Sequence, residues 1–522
     1  MSLRYIAAAS ALAAIAFTLP AAFDGTPRAG DAKAPAASPA GSHRHPPRFE
    51  ISISYTANLI HWIDNLAGSS QGKTVRAYRQ YWQSRFGTPD PGEMELLRSW
   101  VILRNKTVTK PEPAILNDRG CLPQREEIPT FRQSFLIRSY EAPGVEEFVA
   151  SMKDDLSAEE IATLRRTLEK FRPRFDDAWK EASYLPQFEK KLESFLEEGA
   201  LTAYLGEVAS FFGVDPDAFP PSRIELMALP GEGATHAQAD GRYLLIEIRP
   251  NDTPVEQIQV IAHETSHYLW HLVEPARNDA LARRVHATGS GGSVAWNLLR
   301  EALPTALGQG LADARLAPAQ FSETAAWYHV AEIDRLAKDI YPAVAAAFHD
   351  GKPLDEGVID EIARRAEKSL SVIGAAPSAY LADSFFAIGD GLAVPYRRIR
   401  ERIGARAVRN FAVADPNAID FVARYECLSG VALLGPVEMK DPSSLPGIFT
   451  PPPPRPAPAP AKPADSSAPP RPGEIVAVRR PGGGIVFFLI APDAADLDEV
   501  VPAFLGLTRR PDEPIFFGHG TR

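Results

Sequence analysis

The sequence predicts an α+β protein that is mostly α-helical, with a small antiparallel or mixed sheet over a helix that carries two histidines. Apolar residues recur at helical spacing over most of residues 49–412. Two short runs rich in Ile and Leu, 223–229 and 243–248, are typical of strands, and turn-forming Pro-Gly and Asp-Gly pairs lie between them. The second run directly precedes a helix whose start at Thr253 is well specified.

The length and composition limit the possible classes of protein. The chain has 522 residues, enough for two or three domains of about 150 residues. Its 45% hydrophobic and 23% charged residues are typical of a globular protein. A formal net charge of −10 is unfavourable for nucleic-acid binding, so we expect no nucleic-acid partner.

The first 23 residues have the pattern of a signal peptide. A basic residue near the start is followed by an alanine-rich apolar stretch from Tyr5 to Leu19, and the small residues Ala21 and Ala22 offer a cleavage site. Residues 24–48, rich in Ala, Pro and Gly, are predicted to form a flexible linker. The alternative is an uncleaved N-terminal anchor. We expect a periplasmic or secreted protein with no transmembrane span after signal removal, because no later apolar run approaches about 20 residues.

Export affects the interpretation of the two cysteines. In an oxidising compartment Cys121 and Cys427 can form a disulfide that closes a loop of roughly 300 residues. The alternative is two unrelated buried thiols, because the sequence does not give the distance between them.

Residues 49–219 are predicted to form a helical N-terminal region. Ser157 and Glu160 match a capping box at a helix start. Further helices are predicted at Leu185–Leu196 and Leu201–Phe212. These charged, amphipathic helices are typical of a packed scaffold.

The rest of the chain is predicted to form a central domain and a tail. Residues 220–440 contain the two predicted strands and the helix with the two histidines. Residues 441–473 are predicted to be an extended linker, with thirteen prolines from Pro442 to Pro472. Residues 474–522 alternate strand and turn signals and are predicted to form a small module of a β-hairpin and a helix.

The most informative motif is His263-Glu264-x-x-His267. The four-residue spacing puts both imidazoles on one face of a helix, where they can chelate one metal ion, with Glu264 beside it. Thr253 begins this helix as an N-cap. His271 lies eight residues beyond His263, about 12 Å along the axis, so these two cannot bind one ion.

Glu301 is the candidate for a third ligand. It lies on a second predicted helix, on a stripe with Ala302 and Thr305. A carboxylate on an apolar face needs a partner, and a cation supplies one. Thr305, one turn later, is predicted to hydrogen-bond a ligand. The alternative is that Glu301 forms a surface pair with Arg300 or Arg284.

These residues together resemble the gluzincin metallopeptidases, the thermolysin-like class, in which a His-Glu-x-x-His motif is followed by a Glu on a downstream helix. The resemblance covers about residues 223–411, under half of the chain. It implies one Zn²⁺ per chain, held by His263, His267 and Glu301. It also implies that Glu264 is the general base in hydrolysis of a peptide or protein substrate.

The resemblance implies two further sets of residues. In some gluzincins a tyrosine at the start of a later helix stabilises the oxyanion, and Tyr380 is the candidate by chain order. The exposed edge of the small sheet holds the peptide in this class, which suggests Ala234, Thr235 and His236 as substrate-binding residues. Tyr328, Tyr341 and Tyr396 are the other tyrosines available to donate to the oxyanion.

Two features differ from the family pattern and leave alternatives open. The segment Glu232–Ala237 lacks the G-x-M-E-N of aminopeptidases, and Arg300 and Thr305 stand where Asn and Asp are usual around Glu301. A standard aminopeptidase is therefore not expected. The alternatives are a non-catalytic periplasmic interaction protein that keeps a metal-binding fold, and a zinc amidase acting on a non-protein amide. An intact Glu264 favours the enzyme, because a structural zinc has no use for a base.

Overall fold

Helices dominate the protein in a computed structural model. It describes residues 48–69, 72–104, 131–215, 221–231, 235–288, 292–373, 380–381, 383–403, 407–415, 418–419, 421–422, 428–441, 445, 449, 473–480, 484–507 and 515–517. The α+β, mostly helical class predicted from the sequence is confirmed.

Several predicted features lie outside the described residues. These are the signal peptide, residues 24–47 of the predicted linker at 24–48, most of the proline-rich linker, and both Cys121 and Cys427. Within the described ranges, no helix has the length and apolar character required to cross a membrane.

Helices occur along most of the described part of the chain. The α-helices are α1 (Tyr55–Ala67), α2 (Val75–Phe86), α3 (Pro91–Arg104), α4 (Phe131–Glu141), α5 (Val145–Ser151), α6 (Ala158–Trp179), α7 (Leu185–Glu197), α8 (Ala200–Phe212), α9 (Ile258–His271), α10 (Pro275–Ala287), α11 (Gly292–Thr305), α12 (Asp313–Leu316), α13 (Ala331–His349), α14 (Glu356–Ile373), α15 (Ala393–Ile403), α16 (Pro436–Lys440) and α17 (Ala494–Leu505). Short 3-10 helices lie at Lys180–Tyr184 and Pro254–Gln257, and a π-helical turn lies at Ala306–Ala312.

The predicted helix starts agree with the structure. The side chain and backbone of Ser157 exchange hydrogen bonds with Glu160 at the start of α6, as the capping box predicts. The helices predicted at Leu185–Leu196 and Leu201–Phe212 correspond to α7 and α8 within one residue. Local capping and periodicity are therefore sufficient for these elements.

A four-stranded mixed sheet lies next to α9. Its strands are β1 (Phe49–Ser52), β2 (Ser222–Ala228), β3 (Ala237–Asp240) and β4 (Tyr243–Ile248), in the order β1-β2-β4-β3. The β1–β2 and β2–β4 pairs are parallel, and β3 is antiparallel to β4. The two predicted strands correspond to β2 and β4. The strand β3, which the sequence assigned to a turn region, forms the edge beside α9.

A six-stranded sheet in the C-terminal part of the chain contains the β-hairpin predicted within residues 474–522, but the sheet as a whole was not predicted. Its strands are β5 (Asp383–Ile388), β6 (Ala407–Ala412), β7 (Ser429–Leu434), β8 (Gly473–Arg479), β9 (Ile485–Ile490) and β10 (Ile515–Phe517), in the order β10-β8-β9-β7-β5-β6. The helical prediction up to residue 412 is therefore wrong for β5 and β6. Each strand has only six residues, Asp-Ser-Phe-Phe-Ala-Ile and Ala-Val-Arg-Asn-Phe-Ala, and periodicity over so short a segment does not distinguish a strand from a part of a helix.

Both sheets cross the predicted domain boundaries. β1 belongs to the predicted region 49–219 but pairs with β2, which begins at Ser222. β9 belongs to the predicted module 474–522 but pairs in parallel with β7. The boundaries were drawn where composition changes, and composition carries no information on which distant strands pair. The tail is thus part of a larger sheet.

One hydrophobic core surrounds the two-histidine helix. It joins Ile261 of α9 and Leu298 of α11 to Phe487 of β9, all at most 1% exposed. The N-terminal helices form a second cluster that includes Trp62, Trp82 and Trp100. Helix α9 is therefore held on several sides by packed apolar side chains, which fixes the direction of its polar residues.

Candidate metal centre

Helix α9 begins where the sequence predicts. The Thr253 backbone N–H donates to Glu256 Oε2 at 2.7 Å, which completes a capping box, and Pro254 occupies the first helical position. The first turn is 3-10, and the α-helix continues from Ile258. The motif residues thus lie on a well-defined helix.

Three side chains converge on one point. His263 Nε2 lies 3.1 Å from His267 Nε2, and the carboxylate oxygen Glu301 Oε2 lies 3.4 Å from the first nitrogen and 3.2 Å from the second. These three residues are called the metal group below. A metal ion with four ligands at about 2.0–2.1 Å requires ligand atoms about 3.3–3.4 Å apart. The metal group matches this spacing and could hold a metal ion.

The metal group is accessible from one side. The side chains of His263 and Glu301 are 8% and 9% exposed, whereas that of His267 is 25% exposed. The surrounding residues therefore pack closely around His263 and Glu301, whereas solvent or a small molecule can approach beside His267.

Burial and charge change the acid–base properties of the site. Burial raises the pKa of the Glu264 carboxyl, and the neighbouring histidines only partly offset this effect. For His263, burial by itself lowers the pKa, but the hydrogen bond to Glu301 and the charges of Glu264 and Glu301 outweigh it and raise the pKa. Glu264 therefore lies within electrostatic reach of the metal group.

The predicted contact of Thr305 is replaced by one from Gln309. Thr305 is fully buried, and its hydroxyl has no hydrogen-bond partner among the described residues. Gln309 Oε1 instead lies 3.3 Å from His263 Nδ1. The π-helical turn that follows α11 shifts the register, so a position two turns after Glu301 faces His263.

The tyrosine at this site is Tyr328 rather than the predicted Tyr380. The Tyr328 hydroxyl donates to Glu301 Oε2 at 3.3 Å, and its ring stacks on His263 with centroids 6.2 Å apart. Tyr380 is buried and contacts the ring of Phe487 in β9. The prediction looked for a tyrosine at the start of a later helix, whereas Tyr328 lies earlier in the chain, in the loop between α12 and α13.

The loop that carries Tyr328 is anchored to α13. Asp334 Oδ1 accepts the backbone N–H groups of Trp327, at 2.5 Å, and Tyr328, at 3.2 Å. The Trp327 ring packs edge-on against Tyr341, with centroids 5.3 Å apart. Tyr328 is therefore presented by a fixed loop.

The sheet edge beside the site differs from the prediction. Ala234 lies outside the described residues, and Thr235 precedes β3. The backbone N–H of His236 donates to Glu247 Oε2 at 2.8 Å, and its carbonyl accepts the Glu247 N–H at 3.0 Å. The main chain of His236 is thus directed towards β4 and not towards a substrate.

The free edge of β3 is formed by other residues. Because main-chain groups alternate sides along an antiparallel strand, those of Ala237 and Ala239 are directed to the outer edge. Asp240, at the end of β3, is close enough to influence the pKa of Glu264. A short edge with small side chains therefore lies near the metal group.

Sequence reasoning missed Gln309, and it gave Tyr328 only as one of four available tyrosines, with Tyr380 preferred. A signal for Gln309 exists in the Gly308-Gln309-Gly310 sequence, because paired glycines in an apolar helix indicate close approach of another element. No comparable local signal marks Tyr328, whose position depends on how the loop folds back.

Comparisons with protein-family models, with curated proteins and with solved structures found no match for this chain.

Proposed function

We propose that this protein is a zinc-dependent peptidase that binds one Zn²⁺ per chain and hydrolyses peptide bonds. The observation that carries the proposal is the metal group, in which two imidazole nitrogens and one carboxylate oxygen lie 3.1–3.4 Å apart beside the Glu264 carboxyl. Three protein ligands with one remaining position are typical of catalytic zinc sites, whereas structural sites use four protein ligands.

The donor set favours zinc. Two neutral imidazoles and one carboxylate suit a borderline-soft divalent ion, whereas Mg²⁺ and Ca²⁺ prefer oxygen ligands alone. The packed elements around α9 favour a fixed tetrahedral geometry. Bound zinc would polarise a carbonyl oxygen and lower the pKa of a water molecule at the remaining position.

Glu264 is proposed as the general base. Its carboxylate would accept the proton of the attacking water and then donate it to the leaving amine nitrogen. Burial raises its pKa, which brings the carboxyl closer to the range in which it can both accept and donate a proton at neutral pH.

Tyr328 is proposed as the donor to the oxyanion. Its hydroxyl lies 3.3 Å from Glu301 Oε2, at the side of the metal group, and can rotate to donate to a negatively charged oxygen there. The anchored loop supports this role, because a donor that is already positioned loses little entropy when the charge develops.

The outer edge of β3 is proposed to hold the substrate. An extended peptide can pair with the outward main-chain groups of Ala237 and Ala239, which fixes its direction relative to Glu264. The small alanine side chains allow close approach. An exported protein with this activity would act on peptides or proteins in the periplasm or outside the cell.

The test combines metal analysis with peptide cleavage. Purified protein should contain about one zinc per chain and cleave members of a peptide library, a chelator should abolish cleavage, and added zinc should restore it. His267→Ala should lose both zinc and cleavage. His271→Ala, at the exposed end of the same helix, is the matched control and should retain both.

Each alternative function gives a different result. Stoichiometric zinc without cleavage of any amide substrate would indicate a non-catalytic interaction protein. Cleavage confined to non-protein amides, such as cell-wall crosslinks, would indicate an amidase. Full zinc content in His267→Ala would contradict the metal assignment itself.

A further inference from the structure

The helix that carries Glu301 changes its geometry between one and two turns after that residue. Helix α11 ends at Thr305, a π-helical turn spans Ala306–Ala312, and α12 continues from Asp313. A π turn weakens the regular hydrogen bonding of a helix and is frequently found at functional sites. Its position next to the metal group suggests that it directs a side chain there.

Two glycines let the π turn fit between its neighbours. A Cβ atom on Gly308 would lie 2.6 Å from the Gln259 carbonyl oxygen and 3.0 Å from His263 Cβ, so a side chain has no room against α9. A Cβ atom on Gly310 would lie 2.8 Å from the Tyr341 ring and 3.0 Å from the Trp327 ring. The turn is thus packed against the backbone at His263 on one side and against the Tyr328 loop on the other.

Gln309 lies between these two glycines and contacts His263. Its Oε1 lies 3.3 Å from His263 Nδ1. A neutral imidazole carries its proton on one nitrogen, and a metal needs the lone pair of the other. An acceptor at Nδ1 keeps the proton there and leaves Nε2, which faces His267 and Glu301, available as a ligand.

We propose that Gln309, presented by the π turn, is the positioning residue that fixes the tautomer and orientation of His263 and thereby sets the metal affinity. This inference rests on the proposed metal site and deepens it. An amide is a neutral acceptor, so it orients the ring without adding negative charge next to the ligands. A carboxylate at this position would also orient the ring and would make the imidazole a stronger ligand.

The first experiment measures zinc affinity in the full-length protein by competition with a chromophoric chelator. Gln309→Leu removes the acceptor and should weaken zinc binding by about 10–100-fold. Gln309→Glu restores an acceptor of similar length and should bind zinc at least as tightly as the wild type. Gln320→Leu, the same change at an exposed loop position, should leave the affinity unchanged.

The second experiment is independent of metal and of activity. Nitrogen NMR of the His263 ring in the metal-free protein, at one fixed alkaline pH, reports which ring nitrogen carries the proton. The wild type and Gln309→Glu should show the proton on Nδ1, and Gln309→Leu should show a mixture of tautomers. Circular dichroism and thermal unfolding check that each variant is folded.

The outcomes separate this inference from the proposed function. A wild-type protein that binds no zinc would contradict the proposed function. The ring NMR would still test whether Gln309 fixes the tautomer of His263. A wild-type protein that binds zinc, with equal affinity and an equal tautomer in folded Gln309→Leu, would overturn the role of Gln309 alone. Weak binding by Gln309→Glu as well as by Gln309→Leu would also overturn it, since packing and not the acceptor would then matter.

Discussion

Two buried groups in this protein pair histidine with glutamate, and they differ in where their polar atoms are directed. In the metal group, one Glu301 oxygen faces the Nε2 atoms of two histidines. In the second group, His61 Nε2 lies 2.7 Å from Glu247 Oε1. The Thr74 hydroxyl donates to the same oxygen, and the His236 backbone N–H donates to the other oxygen. These four residues are called the Glu247 cluster.

The two groups differ in whether hydrogen-bond donors already occupy both oxygens of the carboxylate. Glu247 is 0% exposed, and donors occupy both of its oxygens, so its charge needs no ion. In the metal group, two imidazole nitrogens and a carboxylate oxygen meet at one point, an arrangement that could hold a metal ion. A buried His–Glu pair is therefore not by itself a metal site. The Glu247 cluster instead joins α1 and the start of β3 to β4.

The largest expected contrast is between removal of Glu301 and removal of Glu247. Glu301→Ala removes a ligand and should weaken zinc binding by more than the roughly 100-fold that loss of a supporting residue costs. Glu247→Ala removes the buried acceptor shared by His61, Thr74 and the His236 backbone, and should lower the free energy of unfolding by about 3 kcal/mol. Zinc titration and urea unfolding of both variants measure the contrast. If Glu301→Ala bound zinc as tightly as the wild type, Glu301 would not be a metal ligand, and the proposed difference between the two groups would be wrong.

A tyrosine lies next to each of the two groups, which allows a matched test. Tyr328→Phe removes the proposed oxyanion donor and should lower kcat by about 10²–10³-fold with zinc retained. Tyr78→Phe, next to the Glu247 cluster, removes a hydroxyl that donates to the Ala228 carbonyl at 3.0 Å. It should leave kcat unchanged and cost about 1 kcal/mol of stability. Equal kcat values for the two variants would remove Tyr328 from the mechanism.

The segment from His236 through the edge strand β3 contacts the Glu247 cluster with some main-chain groups and is proposed to bind substrate with others. The main-chain groups of His236 bind Glu247, whereas the N–H of Ala239 is directed outward and is proposed to donate to a peptide. Ala239→Pro should lower kcat/KM by about tenfold or more, because one donor is lost, while zinc content stays the same. Proline is tolerated on the outer side of an edge strand. Unchanged kinetics on a peptide of at least four residues would show that this edge does not hold substrate.

The fourth contrast is a pH dependence of stability, in which opposing shifts leave only a small net effect in the wild type. Burial lowers the pKa of His236 from 6.5 to about 4, so between these values the unfolded chain binds a proton that the folded protein excludes. The free energy of unfolding should therefore fall as the pH falls from 6.5 towards 4. Burial raises the pKa of Asp313 from 3.8 to about 6, and this opposes the effect in the overlapping range, because the folded protein binds that proton more readily.

A variant isolates the histidine contribution. His236→Gln removes the titration of His236 and leaves that of Asp313, so the wild type should lose about 2 kcal/mol more than the variant between pH 7 and pH 5. Urea unfolding at the two pH values gives the difference. Parallel pH profiles for the two proteins would mean that His236 is not held neutral by burial.

The sequence predicted those parts of the protein that depend on local patterns. The start of α9 at Thr253 and the facing of His263 and His267 follow from capping chemistry and helical spacing. Glu301 was predicted because a carboxylate on an apolar stripe needs a partner. These signals lie within a few residues of the feature that they predict.

The sequence did not predict features that depend on how distant segments meet. Tyr328 reaches Glu301 through a folded loop, and Gln309 reaches His263 through a π turn. The pairing of β7 with β9 crosses a proline-rich segment. In each case the contact depends on how the chain folds between the two residues, which no local sequence pattern indicates. Chain order therefore suggested Tyr380 instead of Tyr328, and regular helical spacing suggested Thr305 instead of Gln309.

The most direct test of the central claim compares peptide hydrolysis by the wild type and Glu264→Gln at equal zinc content. The substitution keeps the size of the side chain and removes its capacity to accept a proton. The account predicts that both proteins bind one zinc per chain, that the wild type cleaves peptides, and that Glu264→Gln is at least about 100-fold slower. Equal rates in the two zinc-loaded proteins, or no cleavage by the wild type, would contradict it.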